Sequence, residues 1–593
     1  MNQTLTSPQN YTAELIQVDK ALESMRDSGF DLATAGGEVI DNSIEAKAQF
    51  IRIRTVEGTV ANEVTMTAKS KTKFSKAIKA IAFADDGIGI PYDTLPHVLT
   101  LGFSTRYNQR DGLGRFGVGM KLAAISQARR IDIYTQPLGS NQIFHAYLDL
   151  DLVASGEQVY IQGDIVDAYP PEYNDLMQHP KKGTAFESGT LVIWSKVDRL
   201  TEGGKYGSSL DERRTGFIKL IARAYRKFID QGLYIEINQS RITLHDPLFL
   251  LENPRVTQNF GRDLRAEIIQ QTKPGEISID GHEVQVTVTL YPEEFRKKRG
   301  LGGRGSRDEK EKFEDLNIPD NQGRVSLLRN GREIYYEIIP RLFTGGVDQD
   351  IDRFIGVEVS FPATLDEYLQ VRHVKRGAEP VSKLREKLRE FLVRPVNEGR
   401  KRIRNVWDST ETVERNASDA HDSAHAAVKQ AEQTSPQGKG GMSISLETAT
   451  QIVNDLLADI KVNPDTDPEK AEEVKQKIQN LPITIFDGEW SGKELFEITH
   501  LNGKAIIKYN YRHPFFREIY VPIKDLAGQD PKEISAEDAI RLARKVEVAI
   551  DVLFMAYAKA ENMHSDPDSI YDDLRSYWGL HANSYTREAL RDK

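Results

Sequence analysis

Apolar and polar positions follow two rhythms along the chain. Residues 12–27 (TAELIQVDKALESMRD) carry helical spacing, and 30–48 predict a loop running into a helix. IRIRTV (51–56) alternates as a strand does. IKAIAFADDGIGI (78–90) predicts an apolar strand ending in a Gly-rich turn. Residues 101–119 suit a mobile loop, MKLAAISQA (120–128) a helix, and RIDIYTQ (130–136) and GTLVIWSKV (189–197) strands. Helices and strands mix in hairpin-like pieces rather than regular βαβ units. That order predicts an α/β sandwich, one mixed sheet covered by helices.

Residues 209–231 predict one amphipathic helix. A second α+β stretch follows, with strands at LYIEIN (233–238), EVQVTVTLY (283–291), RVSLLRNGREIYYE (324–337) and FIGVEVSFP (354–362). The helical segment 382–407 contains Pro395, which is expected to interrupt or kink it. Residues 408–441 are rich in Ser, Thr, Ala, Gln and Gly, and 433–443 (QTSPQGKGGMS) read as a flexible linker. A C-terminal domain begins near 445, with a short helix, strands between 482 and 522 and a long helix at 535–562.

Composition narrows the function. At 593 residues the chain has room for about three to five domains. With 39% hydrophobic and 28% charged residues it is neither wholly disordered nor collagen-like. It has no cysteine, which excludes disulfides, thiolate metal sites and Cys nucleophiles together. No apolar run reaches the roughly 18 residues of a membrane span, and no signal peptide is visible at the start, so the sequence reads as cytoplasmic. The net charge of −10 confines any polyanion contact to a local basic patch.

Three segments carry candidate chemistry. Glu38 and Asn42 are four residues apart and share one face of the expected helix. A carboxylate there can orient or deprotonate a water, and the amide oxygen can hold Mg²⁺. A solvated acidic helix face would use the same residues. Asp85, Asp86, Gly87, Ile88, Gly89 and Ile90 follow an apolar strand directly. The strand-end carboxylate can accept from an exocyclic amine, and the glycines let a flat ring approach the backbone; a plain tight turn is the alternative. Gly112 to Lys121 (GLGRFGVGMK) joins repeated glycines to a helix start, where backbone N–H groups can cradle a phosphate. A flexible surface loop fits this stretch too.

Taken in order, E-x-x-x-N, D-x-G-x-G and G-x-x-G-x-G-x-x within about 85 residues resemble the GHKL ATPases, which include gyrase, heat-shock chaperones, histidine kinases and MutL. The resemblance implies ATP and Mg²⁺ as cofactors. It implies an α+β chain: a GHKL (Bergerat) α/β-sandwich ATPase domain over 1–205, an S5-like transducer domain over 206–380, a helix and flexible linker over 381–444, and an α+β domain over 445–593. Glu38 then matches the general base, Asn42 the Mg²⁺ ligand, Asp85 the adenine-reading carboxylate and Gly89 the close-approach glycine, with Gly87 and Ile90 beside them. Gly114, Gly117 and Gly119 match the phosphate loop, together with Arg115, Phe116, Val118, Met120 and Lys121. Residues 100–116 match the ATP lid, which places Gly102, Thr105 and Gly112 at the nucleotide. Kinase activity is disfavoured, because Glu38 is present and His97 and His145 lie inside the ATPase domain rather than on a preceding phosphoacceptor helix.

The second α+β stretch resembles the transducer of the MORC, MutL and gyrase branch more loosely. Its segment VRHVKRG (371–377) resembles the stretch carrying a lysine that reaches the γ-phosphate, which implies Lys375 as that residue, with Arg376 and Lys121 as alternatives. The branch implies a homodimer closed by ATP, for which residues 1–30 suit an arm. Seven Lys and Arg in 296–310, and Arg400, Lys401, Arg402 and Arg404, are candidate phosphate contacts for DNA; solvated surface charge is the alternative. His513, in NYRHPFF, lacks an evident acid partner and reads as structural. The broad apolar face of 537–563 predicts core or dimer packing. The expectation is a MORC-like, ATP-gated dimeric clamp or switch, acting on DNA or within a nucleic-acid-processing or antiviral defence complex. A chaperone-like ATPase acting on protein clients, and an ATP-sensing regulatory subunit of a partner effector, are the alternatives. No strand-cutting signature is present.

Overall fold

The computed structural model describes residues 17–61, 74–100, 119–201, 209–299, 307–366, 368–369, 382–417, 421–435, 438–490, 493–527, 529, 534–564 and 567–590. The chain divides into two compact units, residues 1–402 and 403–593. Among the described residues no helix is long and apolar enough to cross a membrane.

The first unit opens with helices α1 (Val18–Met25) and α2 (Leu32–Glu45). Asp31 starts α2 with a reciprocal cap: its carboxylate accepts from Thr34 N at 2.9 Å, and Thr34 Oγ1 accepts from Asp31 N at 3.1 Å. The strands β1 (Phe50–Ala61), β2 (Phe74–Asp85), β3 (Ala128–Gln136), β4 (Ile143–Asp149), β5 (Gly163–Val166), β6 (Gly189–Val197), β7 (Tyr234–Ile237) and β8 (Ser240–Arg241) form one mixed sheet, in the order β5-β4-β3-β6-β2-β1-β7-β8. Helices α3 (Leu95–Leu99), α4 (Gly119–Gln127), α5 (Leu150–Ser155), α6 (Leu210–Ala224) and α7 (Arg226–Asp230) complete this part.

Strand alternation sorts the two faces of this sheet. Ile81 and Phe83 of β2 join a core with Ile40 of α2, Ile125 of α4 and Ile221 of α6. The intervening Ala82 and Ala84 face the other side, beneath Tyr173, Leu176 and Met177. Asp85 continues the parity of Ile81 and Phe83, which turns its carboxylate toward α2.

Two expectations change here. The strand at 233–238 does not open the second sheet: β7 pairs in parallel with β1, Phe50 opposite Tyr234. The single helix expected over 209–231 breaks at Tyr225 (φ −107°, ψ 14°), where Tyr225 and Arg226 are both drawn into buried polar bonds.

The second sheet contains β9 (Glu267–Gln271), β12 (Gln285–Leu290), β13 (Val325–Arg329), β14 (Arg332–Glu337) and β15 (Ile355–Phe361), in the order β14-β13-β15-β12-β9. A short ribbon, β10 (Ser278–Ile279) with β11 (His282–Glu283), lies outside it. Asn330 and Gly331, at φ 50° and 82°, make the tight turn between β13 and β14. The fully buried Arg226 binds this sheet to α7 through Glu358 at 2.6 Å and Glu333 at 3.1 Å, and also lies 3.3 Å from Asp246 outside the sheet.

The helix Ser382–Ala417 runs through Pro395 without interruption. Leu388, Leu392 and Val396 keep a buried stripe on either side of the proline, so packing outweighs the lost backbone bond.

In the second unit, helix Asp422–Ala431 forms in the Ser/Thr/Ala/Gln-rich stretch ahead of the expected linker; buried His425, Ala427 and Ala431 account for its order. Gly440 and Gly441, expected in the same linker, accept from Gly503 N (2.8 Å) and Asn502 N (3.2 Å). The strands β16 (Ile483–Gly488), β17 (Phe496–Leu501) and β18 (Lys504–Asn510) form a small sheet in the order β16-β18-β17. His513 shapes a turn, its Nδ1 accepting from Phe515 N at 3.2 Å. The long helix Ala536–Glu561 buries only Ala549 and Glu561, while Ile540, Val548, Val552, Phe554 and Met555 stand exposed, so of the two expected roles of this face, core or dimer packing, core packing is not found among the described residues.

Candidate active site

The site is built on α2, the end of β2 and the start of α4. Glu38 is nearly buried on α2, and Asn42, one turn on, is exposed. The Glu38 carboxylate lies against the Cα of Gly119, the residue that opens α4. A Cβ at position 119 would stand 2.1 Å from Glu38 Oε2, so a side chain there requires the Glu38 carboxylate to move. A carboxylate is thereby fixed beside the helix that the Gly-rich segment feeds. The Asn42 side chain makes no hydrogen bond among the described residues, so its amide oxygen is available to a hard cation.

Asp85 is buried at the end of β2. Ser43 Oγ donates to its Oδ2 at 2.7 Å, and Gly87 N donates to Oδ1 at 2.9 Å. Burial pushes the Asp85 pKa up to about 6, against the opposing pull of those two donors. The neighbouring Asp86 plays a different part. Its Oδ1 accepts from Gln49 N and Phe50 N at 2.7 and 2.8 Å, fixing the start of β1.

Gly89 lies at φ 70°, and a Cβ there would come 2.4 Å from Gln136 O. Ile90 N donates to Thr135 Oγ1 at 2.9 Å, and Thr135 Oγ1 donates to Gly189 O at 3.0 Å. Ser188 Oγ donates to Gly87 O at 2.8 Å. The turn after β2 is therefore held from β3, from β6 and from α2. Lys121 is buried and donates to Thr100 O; burial lowers its pKa to about 8.

Several residues that hold this turn are absent from the sequence reading. Ser43 and Ser188 carry no spacing signal. Thr135 does carry one, because it shares parity with the buried Ile131 and Ile133 of β3 and is a fully buried polar residue at an inward position. Gly102, Thr105, Gly112, Gly114, Arg115, Phe116, Gly117 and Val118 lie outside the described residues, as do Lys375 and Arg376.

His145, inside this domain, is fixed structurally: its Nε2 lies 3.0 Å from Asp132 Oδ1 and its ring stacks on Tyr134. The basic clusters need correction. Arg400 is buried and grips Asp352 through Nε (2.7 Å) and Nη2 (2.6 Å). Arg402 pairs with Glu267 at 2.6 Å, and buried Arg296 donates from Nε to Tyr291 O. Arg400 and Arg296 are thus engaged in the fold's interior, and Arg402 in a surface ion pair. Lys297, Lys298, Arg299, Lys401 and Arg404 remain exposed.

Residues 30–184 match the family model described as histidine kinase-, DNA gyrase B-, and HSP90-like ATPase. Residues 30–184, which hold β1 to β5, thus belong to a GHKL-type ATPase domain. It is 28% identical over 177 residues to the B subunit of a type 2 DNA topoisomerase 6 of Metallosphaera sedula, which is 27% of this chain and 31% of that protein. It is 31% identical over 99 residues to the B subunit of a DNA topoisomerase 6 of Oryza sativa subsp. japonica, covering 16% of this chain and 14% of that one. The chain therefore spans under a third of the length of the curated relatives it matches. A solved N-terminal domain of a DNA repair protein aligns at a TM-score of 0.37 and 15% identity, over 64% of this chain and 98% of that one.

Proposed function

We propose that this chain is a Mg²⁺-dependent ATP hydrolase that works as an ATP-operated switch in a DNA-processing complex. The observation that carries the reading is Glu38, a nearly buried carboxylate held against the glycine that opens α4, with Asp85 at the adjoining strand end. In this reading Asp85 accepts a hydrogen bond from the exocyclic amine of adenine, and Gly89 lets the ring approach the backbone. Backbone N–H groups at the start of α4 face the terminal phosphate. Glu38 orients a water in line with the γ-phosphorus and takes its proton. The exposed Asn42 amide would hold Mg²⁺, which when bound offsets phosphate charge. Lys375 reaches the γ-phosphate, residues 100–116 form the lid, and ATP closes two copies into a dimer; these parts rest on the GHKL resemblance.

The DNA setting draws on relatives named as subunits of a DNA topoisomerase, and an antiviral defence role draws on the resemblance alone. A second reading, an ATP-sensing subunit that hands activity to an effector protein, is favoured by the exposed apolar side chains of Ala536–Glu561. Steady-state ATP hydrolysis with and without duplex DNA separates the two. Stimulation that fades with salt supports direct action on DNA. Hydrolysis indifferent to DNA counts against it and leaves the effector reading.

A further inference from the structure

The candidate catalytic helix is gripped from the second sheet, at a position that neither the motifs nor the relatives assign. Asp41 on α2 is buried and accepts from Arg332 Nε at 3.1 Å. Arg332 opens β14, 291 residues along the chain. Tyr225 OH donates to the same Asp41 oxygen at 2.8 Å and lies 2.8 Å from Gly37 O. Arg332 Nη2 lies 3.4 Å from Tyr225 OH, and Arg332 Nη1 donates to Glu333 O at 3.0 Å. Two glycines of α2 leave room for these neighbours, Gly37 for Arg332 and Gly36 for Phe217 of α6. A Cβ on Gly37 would stand 3.1 Å from Arg332 Nη2, and one on Gly36 would stand 2.5 Å from the Phe217 ring.

On a helix of 3.6 residues per turn, the row 37–41 lies about 100° from the row 38–42. One row is held by Arg332 and Tyr225; the other presents Glu38 and Asn42. A side chain reaches about 5.5 Å from the helix axis, so a roll of about 10° moves the Glu38 carboxylate by about 1 Å. Displacements of that size cost about a hundredfold in rate when a reacting group must be aligned. Burial opposes the charge on Arg332, but Asp41, Tyr225 and Glu38 offset this and keep the guanidinium protonated. A buried ion pair adds little stability compared with an apolar substitute, so its place beside Glu38 is better explained by orientation.

We propose that Arg332 is a positioning residue for ATP hydrolysis: by gripping Asp41 it sets the roll of α2, and so the aim of Glu38, making turnover depend on the docking of the second sheet. This rests on the reading of Glu38 as the group that activates water. The network is short. Arg332 follows the Asn330–Gly331 turn directly and pairs with Arg329 of β13, and β14 stays paired with β13 to Glu337 across one bulge at Ile334.

The test uses the full chain and the variants Arg332→Gln, Arg332→Lys and Tyr225→Phe, with Glu38→Ala as control. Hydrolysis rate at saturating ATP and nucleotide affinity by titration are measured separately, with folding checked by thermal melting. Arg332→Gln is expected to lower kcat about 10- to 100-fold while the ATP Kd stays within about threefold, and Arg332→Lys to recover a substantial part. Tyr225→Phe is nearly isosteric, carries the test if Arg332→Gln does not fold, and is expected to lower kcat by about 3- to 10-fold with Kd unchanged. Folded Arg332→Gln or Tyr225→Phe turning over at the wild-type rate overturns the proposal, as does a loss of kcat that only tracks a loss of nucleotide binding. If Glu38→Ala itself hydrolyses normally, the reading of the base fails first. If Glu38→Ala is dead and Arg332→Gln is fully active, the positioning role alone fails.

Discussion

The carboxylate of Glu38 occupies the space that a side chain at Gly119 would need: a Cβ there would stand 2.1 Å from Oε2. The two residues are 81 positions apart and come from different motifs, yet a side chain cannot be added at 119 without displacing Glu38. Gly119→Ala must therefore push Glu38 aside or shift the start of α4. Hydrolysis is expected to fall about 10- to 100-fold, with a smaller change in ADP affinity. Steady-state rates beside an ADP titration check this; a rate within twofold of wild type would show that Glu38 is free to relocate.

Asp85 predicts a pH dependence. Its pKa of about 6 lies above the ordinary value of about 4, so the folded chain holds this proton more tightly than the unfolded chain does between those values. The ionised carboxylate thus costs stability, a cost that grows as pH rises from about 4 to about 6 and is complete above that. Only the ionised form accepts an amine hydrogen bond through either oxygen. Nucleotide affinity is therefore expected to hold above about pH 6 and to weaken toward tenfold per pH unit below it. Asp85→Asn should bind more weakly and lose this dependence. Calorimetric titration of ADP from pH 5 to 8 reads both.

Much of this site is legible in the sequence because its parts are local. Glu38 and Asn42 share a helix face by spacing alone, and Asp85 follows an apolar strand whose parity aims it inward. The strand Gly189–Val197 is found at its expected bounds because its apolar run begins at a glycine and ends before Asp198. What escapes is non-local. Arg332 meets Asp41 across 291 residues, and nothing in RNGREI distinguishes a buried arginine from a solvated one. The same blindness makes Arg400 read as a phosphate contact, whereas Asp352 lies 2.6 Å from it. Pro395 signals a break or a kink by local rule; the helix continues past it, with the buried stripe on either side.

Arg400 is accordingly expected to matter for stability rather than for polyanions. Arg400→Ala leaves Asp352 buried without its cation, a loss of about 3–5 kcal/mol. Urea unfolding followed by circular dichroism should show a lowered midpoint. Any duplex DNA binding by the folded variant should keep its salt slope, since no phosphate contact has been removed. A reduced slope with unchanged stability would return Arg400 to the surface role.

The central claim is that Glu38 activates water rather than holding nucleotide. The most direct measurement compares Glu38→Ala with the wild-type chain in ATP affinity and in single-turnover hydrolysis with Mg²⁺ present. Affinity within about threefold of wild type, with hydrolysis reduced at least a hundredfold, is the predicted result. Hydrolysis at the wild-type rate, or a parallel collapse of ATP binding, would contradict it.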